Sequence, residues 1–352
     1  MEPTRRVWLL LGPKAGDATQ LRVLGAALAA RGWTVEARRL AFHRHELATN
    51  LLLRVTLAGL RRDASDPLEA PWPELVLTAG RRNEPVARWI RRASGGRTRL
   101  VHVGRPWAAL RHFDLIVTTP QYFLDPAAHG NVLRLPLPLG PTPGRRTLPA
   151  GEAPFLALLV GGDSGVRVLT EAGAVALADE ALALARARGL ALRVTTSPRT
   201  PPAAEVALAA RLAGREGVVV HGWHAAAGRE NPYEAWLATA EAFLVTDESM
   251  SMIAEAVATG RPVWLAPIPA SDRPWWATRR GWRWKPLTHR LAQRLAPRRL
   301  RRDTDRIVAA LLETDRARSV RDPTPPAGGT GAAGNPGAER AAEAVEALFR
   351  AP

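Results

Sequence analysis

The sequence predicts an α/β protein made of two Rossmann-like domains that face a central cleft. Three observations support this prediction: short apolar runs alternate with longer helical patterns, a Pro- and Gly-rich stretch interrupts the alternation at residues 136–154, and the alternation then restarts. Continuous apolar strands separated by helices are typical of a parallel sheet covered on both faces. Each half is therefore expected to be doubly wound, and the cleft between them is the expected ligand site.

The first domain is predicted over residues 1–135. Its strands are expected at Arg6–Leu11, Thr34–Arg39, Glu74–Thr78, Arg99–Val103, Asp114–Thr118 and Asn131–Leu135. Its helical patterns lie at Ala18–Arg31, Glu46–Leu60 and Pro85–Ala93.

Residues 136–154 are predicted to form a linker, and residues 155–320 the second domain. Its strands are expected at Phe155–Val160, Ala191–Thr195, Gly217–Val220, Ala242–Val245 and Pro262–Leu265. Its helices are expected at Val166–Arg188, Pro202–Leu212, Pro232–Ala240 and Met250–Thr259. Residues 321–337 are rich in Pro, Gly and Ala, which predicts a flexible loop before a last helix within 338–352.

The composition limits the classes of chemistry. A chain of 352 residues with 46% hydrophobic residues suits two domains with substantial cores. Cysteine is absent, which excludes disulfides, thiolate nucleophiles and Cys-ligated zinc. No stretch resembles a secretory signal or a membrane span, so a cytoplasmic location is expected, with a peripheral membrane role left open.

The formal net charge of +16 raises the question of nucleic-acid binding. The arginines are scattered over the whole chain, and Lys14 and Lys285 are the only lysines. This balance argues against a nucleic-acid surface and favours an anionic membrane or a phosphate-bearing substrate. Residues Asp272–Pro286 interleave Trp with Arg, which fits either membrane contact or a cover over the ligand site.

The most informative segment runs from Thr246 to Pro267. It reads as a strand end, a polar turn, a helix, a Gly stop and a second buried strand, with Glu255 in the middle of the helix. A carboxylate can accept hydrogen bonds from both hydroxyls of a ribose. Glu255 is therefore a candidate ribose ligand, and an exposed helix glutamate is the alternative.

The start of this helix is polar and offers room for a phosphate. Ser249, Met250 and Ser251 begin it, and free backbone N–H groups at a helix N-terminus attract anions. Asp247 and Glu248 are expected to cap the helix.

A second candidate is the turn at Leu158–Gly165. Gly161 and Gly162 follow a strand and would let the backbone approach a ligand closely, while Ser164 is expected to cap the next helix. The alternative is an ordinary strand-to-helix turn. Asn231, which precedes Pro232, is expected to cap another helix near a nucleobase.

In the first domain, Gly12, Lys14 and Gly16 form a loop between a strand and a helix. The spacing does not match G-x-G-x-x-G, which argues against a dehydrogenase or an epimerase. Asp17 in this loop is a candidate general base, and a plain N-cap is the alternative.

Other strand ends in the first domain carry cations. Arg81 and Arg82 are candidates for binding a substrate anion, with solvated surface arginines as the alternative. His102 ends the next strand and is the only histidine there with a catalytic claim, and a satisfied buried histidine is the favoured alternative.

Several segments together carry a family resemblance: AGRRNEPVA, GRP, FDLIVTTPQY, NVLRLPLPL, LLVGGDS, TTSPRTP, NPY and TDESMSMIAEAVATGRPV. In order and spacing the chain resembles the mitochondrial fission ELM1-like family. The resemblance implies a GT-B glycosyltransferase fold, similar to the lipid-linked N-acetylglucosaminyl transferase of peptidoglycan synthesis. It implies that the glycine turn meets a donor diphosphate, Glu255 the ribose and the Gly12–Gln20 loop the acceptor. Those transferases carry a histidine where this chain has Asp17.

Two hypotheses follow from different classes. The first is a glycosyltransferase that uses a nucleotide sugar as substrate, with no cofactor and no metal expected, acting on an envelope or lipid-linked acceptor. The second is a non-catalytic adaptor related to the mitochondrial fission factor, which recruits a partner protein to a membrane. The protein partner, the donor base and sugar, and the stereochemistry are left open, and the Ala/Arg-rich composition suggests a bacterial host.

Overall fold

The structure is a computed structural model, and it describes residues 4–43, 55–164, 167–269, 294–295, 297–327 and 336–350. The chain divides into two compact units. The first comprises Met1–Pro141, Pro297–Asp303 and Asn335–Pro352, and the second comprises Thr142–Ala296 and Thr304–Gly334. Each unit contains a six-stranded parallel sheet, which confirms the predicted fold class.

The sheet of the first unit has the order β2-β1-β3-β4-β5-β6. Its strands are β1 (Arg6–Leu11), β2 (Thr34–Arg39), β3 (Leu75–Ala79), β4 (Arg99–Val103), β5 (Leu115–Thr118) and β6 (Val132–Arg134). Helices α1 (Ala15–Ala29) and α2 (Asn83–Ala93) connect strands of this sheet. Short 3₁₀ turns lie at Arg62–Ala64, Leu110–His112 and Arg298–Leu300.

The sheet of the second unit has the order β12-β11-β10-β7-β8-β9. Its strands are β7 (Phe155–Leu159), β8 (Ala191–Thr195), β9 (Val218–His221), β10 (Ala242–Thr246), β11 (Val263–Ala266) and β12 (Arg318–Ser319). The helices are α3 (Glu171–Ala187), α4 (Pro202–Leu212), α5 (Tyr233–Thr239), α6 (Met250–Ala258) and α7 (Asp305–Glu313).

A last helix, α8 (Pro336–Ala347), returns to the first unit. Its apolar face packs into the core beneath α1 through four buried side chains spaced three and four residues apart: Ala338, Ala341, Ala342 and Val345. This spacing places them on one side of a helix. Arg31 lies within 4 Å of Glu339, Glu343 and Glu346 and holds the polar side of α8.

The predicted strands are confirmed, several of them to the residue. The predicted helix Val166–Arg188 is wrong at its start, because α3 begins at Glu171 and Thr170 caps it by accepting a hydrogen bond from the amide of Gly173 (3.0 Å). Of the predicted helix Glu46–Leu60, residues 46–54 lie outside the described ranges, and residues 55–60 are not helical. Helix α7 and strand β12 were not predicted. Within the described ranges, no helix is both long and apolar enough to cross a bilayer.

Each sheet has one point where the strand order reverses. In the first unit this point lies between β1 and β3, and in the second between β7 and β10. The connections from neighbouring strands leave in opposite directions there, so the carboxyl ends of the strands form a crevice that commonly holds a ligand.

A buried carboxylate fastens the loop after β9. Glu205 on α4 accepts hydrogen bonds from the hydroxyl of Thr196 (2.5 Å) and from the amides of His224 (3.0 Å) and Ala225 (2.9 Å). A Cβ atom at Gly222 would lie 2.7 Å from the carboxyl carbon of Glu205, so only glycine fits there. Burial alone raises the pKa of Glu205, but these hydrogen bonds outweigh it and the pKa lies below its ordinary value.

We expect Glu205→Gln to lower the free energy of unfolding by about 1.5–3 kcal/mol at neutral pH, because a charge-assisted acceptor is lost. The lowered pKa means that the ionised form stabilises the fold. This contribution is complete above the ordinary pKa of 4.5 and disappears as the pH falls through the lower folded-state pKa. Urea denaturation at several pH values measures the difference. The control is Glu216→Gln, an exposed change on the same unit, and an equal loss in both variants would contradict the role of Glu205.

Candidate functional site

The candidate site of the second unit lies where the sheet order reverses, after β7 and β10. The hydroxyl of Thr246 at the end of β10 accepts a hydrogen bond from the amide of Gly161, which follows β7 (2.9 Å). The hydroxyls of Ser197 and Thr200, which follow β8, donate to the carbonyl of Gly161. Gly161 therefore links the carboxyl ends of β7, β8 and β10 by hydrogen bonds.

Gly161 and Gly162 are required by the packing of these loops. A Cβ atom at Gly161 would collide with Oε1 of Glu248 and would lie 2.7 Å from both Nη2 of Arg199 and Cβ of Ser249. Gly162 has φ +113°, and its Cβ would lie 2.5 Å from the carbonyl oxygen of Arg199. The space beside these two glycines is therefore filled by Arg199, Glu248 and Ser249 of the same unit, and this packing fixes the position of Arg199.

Arg199 is the cation of this site. Its guanidinium donates to Ser249 Oγ (3.0 Å), to Glu248 Oε1 (3.3 Å) and to the carbonyl of Asp163 (3.3 Å). The side chain remains 40% exposed, so it can also meet a ligand. The sequence prediction missed Arg199, although it lies in the TTSPRTP segment directly after a predicted strand.

Glu248 is the buried acid behind Arg199. Its side chain is 1% exposed, and its Oε2 has no hydrogen-bond partner within the part of the chain that the structure describes. Burial raises the pKa of Glu248, and the neighbouring charge of Arg199 opposes that rise. The expectation that Glu248 caps α6 is wrong, because the N-cap residue is Ser249 and it makes no side-chain cap bond.

Asp247 holds a neighbouring loop. Its carboxylate accepts hydrogen bonds from the guanidinium of Arg167 (3.0 and 3.1 Å) and from the amide of Ile268 (3.0 Å). Burial raises the pKa of Asp247, while the Ile268 amide and Arg167 oppose the rise. Asp247 therefore does not cap α6 either, contrary to expectation.

Ser164 does not cap a helix. It exchanges backbone hydrogen bonds with Arg167 (3.0 Å each), and α3 begins only at Glu171. The carboxylate of Asp163 accepts a hydrogen bond from the amide of Leu169 (2.9 Å). The connection between β7 and α3 is therefore longer than predicted, because Asp163 binds the amide of Leu169 and Thr170 is the cap of α3.

The residues at the start of α6 differ in exposure. Ser249 and Met250 are buried, at 2% and 5%, whereas Ser251 is exposed. Ser249 provides no side-chain cap, so the first-turn N–H groups of α6 receive no acceptor from the N-cap side chain.

Glu255 lies on α6 and is half-buried. The hydroxyl of Tyr233 donates to its Oε2, while its Oε1 has no hydrogen-bond partner among the described residues. Burial raises the pKa of Glu255; the Tyr233 hydrogen bond opposes the rise and the charge of Glu234 adds to it. Burial and the adjacent Glu255 raise the pKa of Tyr233 well above its ordinary value, so its hydroxyl keeps its proton. Asn231 accepts a hydrogen bond from the amide of Tyr233 (3.0 Å) at the start of α5.

In the first unit, the predicted loop meets residues that follow β3. A Cβ atom at Gly12 would lie 2.8 Å from Oδ1 of Asn83, whose Nδ2 donates to the carbonyl of Leu10 (2.7 Å). Asp17 lies in the first turn of α1, and a Cβ atom at Gly80 (φ +71°) would lie 2.5 Å from its Oδ2. The N-cap reading of Asp17 is wrong, because Lys14 occupies the cap position.

The remaining first-unit candidates differ in accessibility. Lys14, Gly16 and Arg81 are exposed, and Arg82 is half-buried. His102 is fully buried, with its Nε2 3.5 Å from Oε1 of Glu84. His102 is buried as expected, but neither ring nitrogen has a hydrogen-bond partner within the described residues, so the expectation of a satisfied histidine is wrong.

Comparisons with known proteins now give the family. A family model described as "Mitochondrial fission ELM1" matches residues 15–322. The chain belongs to the mitochondrial fission ELM1 family. The mitochondrial fission protein ELM1 of Arabidopsis thaliana is 26% identical over 246 residues, which cover 61% of this chain and 56% of that protein. This ELM1 family chain therefore spans just over half the length of the curated relative.

Solved structures similar to this ELM1 family chain share its architecture. A putative UDP-N-acetylglucosamine 2-epimerase from Listeria monocytogenes has 14% identity and a TM-score of 0.52, with 99% of this chain and 97% of that chain covered. UGT89C1 of Arabidopsis thaliana complexed with UDP-L-rhamnose has 12% identity and a TM-score of 0.48, with 99% and 95% covered. The two parallel sheets and the similarity to the Listeria structure confirm the expected GT-B-like fold.

We expect Gly161→Ala to lower the free energy of unfolding by roughly 1–3 kcal/mol, because the new methyl group collides with the Arg199–Glu248 contact. Chemical denaturation followed by tryptophan fluorescence measures the change. Gly144→Ala is the matched control in the same unit, since no atom lies within 4 Å of a Cβ there, and its effect should stay within about 0.5 kcal/mol. Unchanged stability of Gly161→Ala would show that the loops are not packed as described.

Proposed function

We propose that the second unit binds a nucleoside diphosphate sugar and that this ELM1 family chain has glycosyltransferase-like activity. The observation that carries the proposal is the position of Arg199. Its half-exposed guanidinium is held by Ser249 and Glu248 at the carboxyl ends of β7 and β10, where doubly wound sheets bind ligands.

The diphosphate is assigned to Arg199 and to the N-terminus of α6. An arginine offers paired donors that match phosphate oxygens, and the uncapped first turn of α6 adds backbone N–H donors and the positive end of the helix dipole. Gly161, Gly162, Ser249, Met250 and Ser251 form or border this place. Ser164 keeps a proposed role in the turn only through its backbone.

The ribose is assigned to Glu255. It lies five residues along α6 from Met250, which corresponds to about 7.5 Å of helix axis. This spacing suits a sugar ring next to a diphosphate at the helix end. Oε1 of Glu255 is available as an acceptor because Tyr233 occupies Oε2. Asn231 is assigned to the neighbourhood of the nucleobase because it starts the helix that carries Tyr233.

The chemistry proposed is displacement at the sugar carbon with the nucleoside diphosphate as leaving group. Charge develops on that leaving group in the transition state, and a fixed cation with oriented N–H groups stabilises it. For the first unit we propose that Gly12, Lys14, Gly16, Arg81 and Arg82 bind the acceptor. Asp17 is the proposed base for its hydroxyl group.

The choice of probe follows from the Listeria protein, which is named a putative UDP-N-acetylglucosamine 2-epimerase. UDP and UDP-N-acetylglucosamine are therefore the first ligands to test, followed by GDP and CDP. The adaptor alternative predicts no binding of any nucleotide, and no observation on the described residues favours it.

We expect isothermal titration calorimetry to detect binding of UDP-N-acetylglucosamine or another nucleotide sugar, with an affinity at least tenfold lower in Glu255→Gln and in Arg199→Gln. Each change removes a charge-assisted hydrogen bond of about 1.5–3 kcal/mol. Glu241→Gln is the matched control, because Glu241 is exposed next to the amino end of β10. If no nucleotide binds the wild type, or if Glu241→Gln weakens binding as much, the proposal is wrong.

We expect the affinity for the nucleotide sugar to fall as the pH is lowered. Burial raises the pKa of Glu255, so its carboxylate is protonated at a higher pH than an ordinary glutamate, and the protonated form is a weaker acceptor for ribose hydroxyls. The diphosphate of a nucleotide sugar is esterified at both ends and keeps its charge between neutral and mildly acidic pH, so its own titration does not contribute to the change in affinity. Titrations between neutral and mildly acidic pH measure the effect. Glu255→Gln should remove this part of the pH dependence, and an unchanged profile in that variant would assign it to another group.

A further inference from the structure

Arginine side chains gather at one edge of the first unit, in a group that extends beyond the predicted Arg81 and Arg82. Arg81 follows β3, Arg105 follows β4, and Tyr122 follows β5, so all three lie at the carboxyl edge of the sheet. We call Arg81, Arg105, Trp107 and Tyr122 the arginine–aromatic cluster.

A distant segment of the chain supports this cluster. Residues Pro297–Asp303 belong to the first unit, although they follow most of the second unit in sequence. Arg299 donates to the carbonyls of Pro106, Trp107 and Ala108, at 3.3 Å each. Arg105 donates to the carbonyl of Leu300. These contacts fix the loop after β4 and hence the backbone of the cluster.

The aromatic rings orient the two cations. The guanidinium carbon of Arg81 lies 5.4 Å from the centre of the Trp107 ring, and that of Arg105 lies 5.7 Å from it. Arg105 also lies 5.2 Å from the Tyr122 ring. Stacking on a ring leaves the N–H donors around the edge of a guanidinium free to point outward.

The positive charge of the cluster is not neutralised. Within the part of the chain that the structure describes, no carboxylate lies within 4 Å of the guanidinium of Arg81 or Arg105. Glu84 comes near in sequence, but it is fully buried and accepts hydrogen bonds from the amides of Trp107 and Ala108 (2.7 Å each). Burial lowers the pKa of Arg105; Tyr122 opposes this and the charge of Arg302 adds to it.

We propose that the arginine–aromatic cluster of the first unit is a binding site for a phosphate or diphosphate group. Two guanidinium groups that lie against aromatic rings, with no carboxylate partner among the described residues, match the fork geometry of phosphate oxygens. Two guanidinium groups already lie against the Trp107 ring and compete with a nucleobase for it, which disfavours single-stranded nucleic acid. The phosphate belongs either to a soluble ligand or to a lipid headgroup. The site does not depend on nucleotide binding by the second unit.

The test is a site-specific NMR measurement on the full chain labelled with 5-fluorotryptophan. The ¹⁹F resonance of Trp107 is assigned by its loss in Trp107→Phe. Addition of inorganic pyrophosphate should shift this resonance, and Arg81→Gln should weaken the response at least tenfold. Arg81 is exposed, so this variant is expected to fold. Arg105→Gln should weaken the response similarly, and a melting curve checks its folding.

The matched control is Arg92→Gln, which removes an exposed arginine at the other end of α2. It should change the affinity less than twofold. An equal loss of affinity in Arg92→Gln would show that the effect depends only on the net charge of the protein, which contradicts the proposal. A Trp107 resonance that responds neither to pyrophosphate nor to anionic vesicles would also overturn it. Tighter binding of a short single-stranded oligonucleotide that depends on Arg81 would overturn it in favour of nucleic acid.

Two further arms separate the sources of the phosphate. Sedimentation with phosphatidylglycerol vesicles, compared with phosphatidylcholine vesicles, tests a lipid headgroup. If vesicle binding is lost in Arg81→Gln, the phosphate belongs to a lipid headgroup. If the protein responds to pyrophosphate but does not bind vesicles, or binds them equally well in Arg81→Gln, the phosphate belongs to a soluble ligand. Titration of Arg105→Gln with UDP-N-acetylglucosamine separates this proposal from the proposed function, because Arg105 belongs to neither the proposed acceptor site nor the proposed nucleotide site. Binding at the second unit should therefore be unchanged whether or not the first-unit site exists.

Discussion

The second unit depends on the contact of Gly161 with Arg199 and Glu248. The hydroxyl of Thr246 and the hydroxyls of the loop after β8 satisfy both polar groups of the Gly161 peptide region. Because glycine has no Cβ, the carboxylate of Glu248 can lie against the turn. That position is almost without solvent, and a charged group there is stable only beside a partner of opposite charge. Arg199 is that partner.

The same pairing gives the site its electrostatic character. One carboxylate oxygen of Glu248 faces Arg199, and the other has no hydrogen-bond partner among the residues that the structure describes. Burial raises the pKa of this acid, and the charge of Arg199 opposes the rise. The guanidinium is therefore only partly neutralised and keeps an exposed side. A second anion can approach that side and the first turn of α6 without first breaking a strong ion pair. This is the physical reason to place a diphosphate there and not at Arg167, whose guanidinium is engaged by Asp247 and Asp305.

The sequence predicted the strands well, because buried parallel strands are continuous apolar runs bounded by turn residues. It failed at the start of α3, where Ser164 and Thr170 are equally good caps by residue type. Two hydrogen bonds decide between them: the amide of Leu169 donates to Asp163, and the amide of Gly173 donates to Thr170. Helix α7 was missed although its buried residues Ile307 and Leu311 have helical spacing, and strand β12, with two residues, is too short to give a pattern. Arg199 was missed for another reason: its role arises from contact with Gly161 and Glu248, which are 38 and 49 residues away.

Three of the four glycines that suggested a ligand site have a packing explanation. A Cβ atom at Gly12, Gly161 or Gly162 would meet a side chain or backbone of the same unit, whereas nothing lies within 4 Å of a Cβ at Gly16. Such glycines are required by the packing of the fold, so an adaptor that kept the fold would need them as much as an enzyme does. The discriminating features are polar groups that the packing leaves available. These are the exposed side of Arg199, Oε1 of Glu255 and the stacked guanidinium of Arg81. A fold kept only as a scaffold has no requirement for them, so the choice between enzyme and adaptor depends on these side chains and not on the glycine turns.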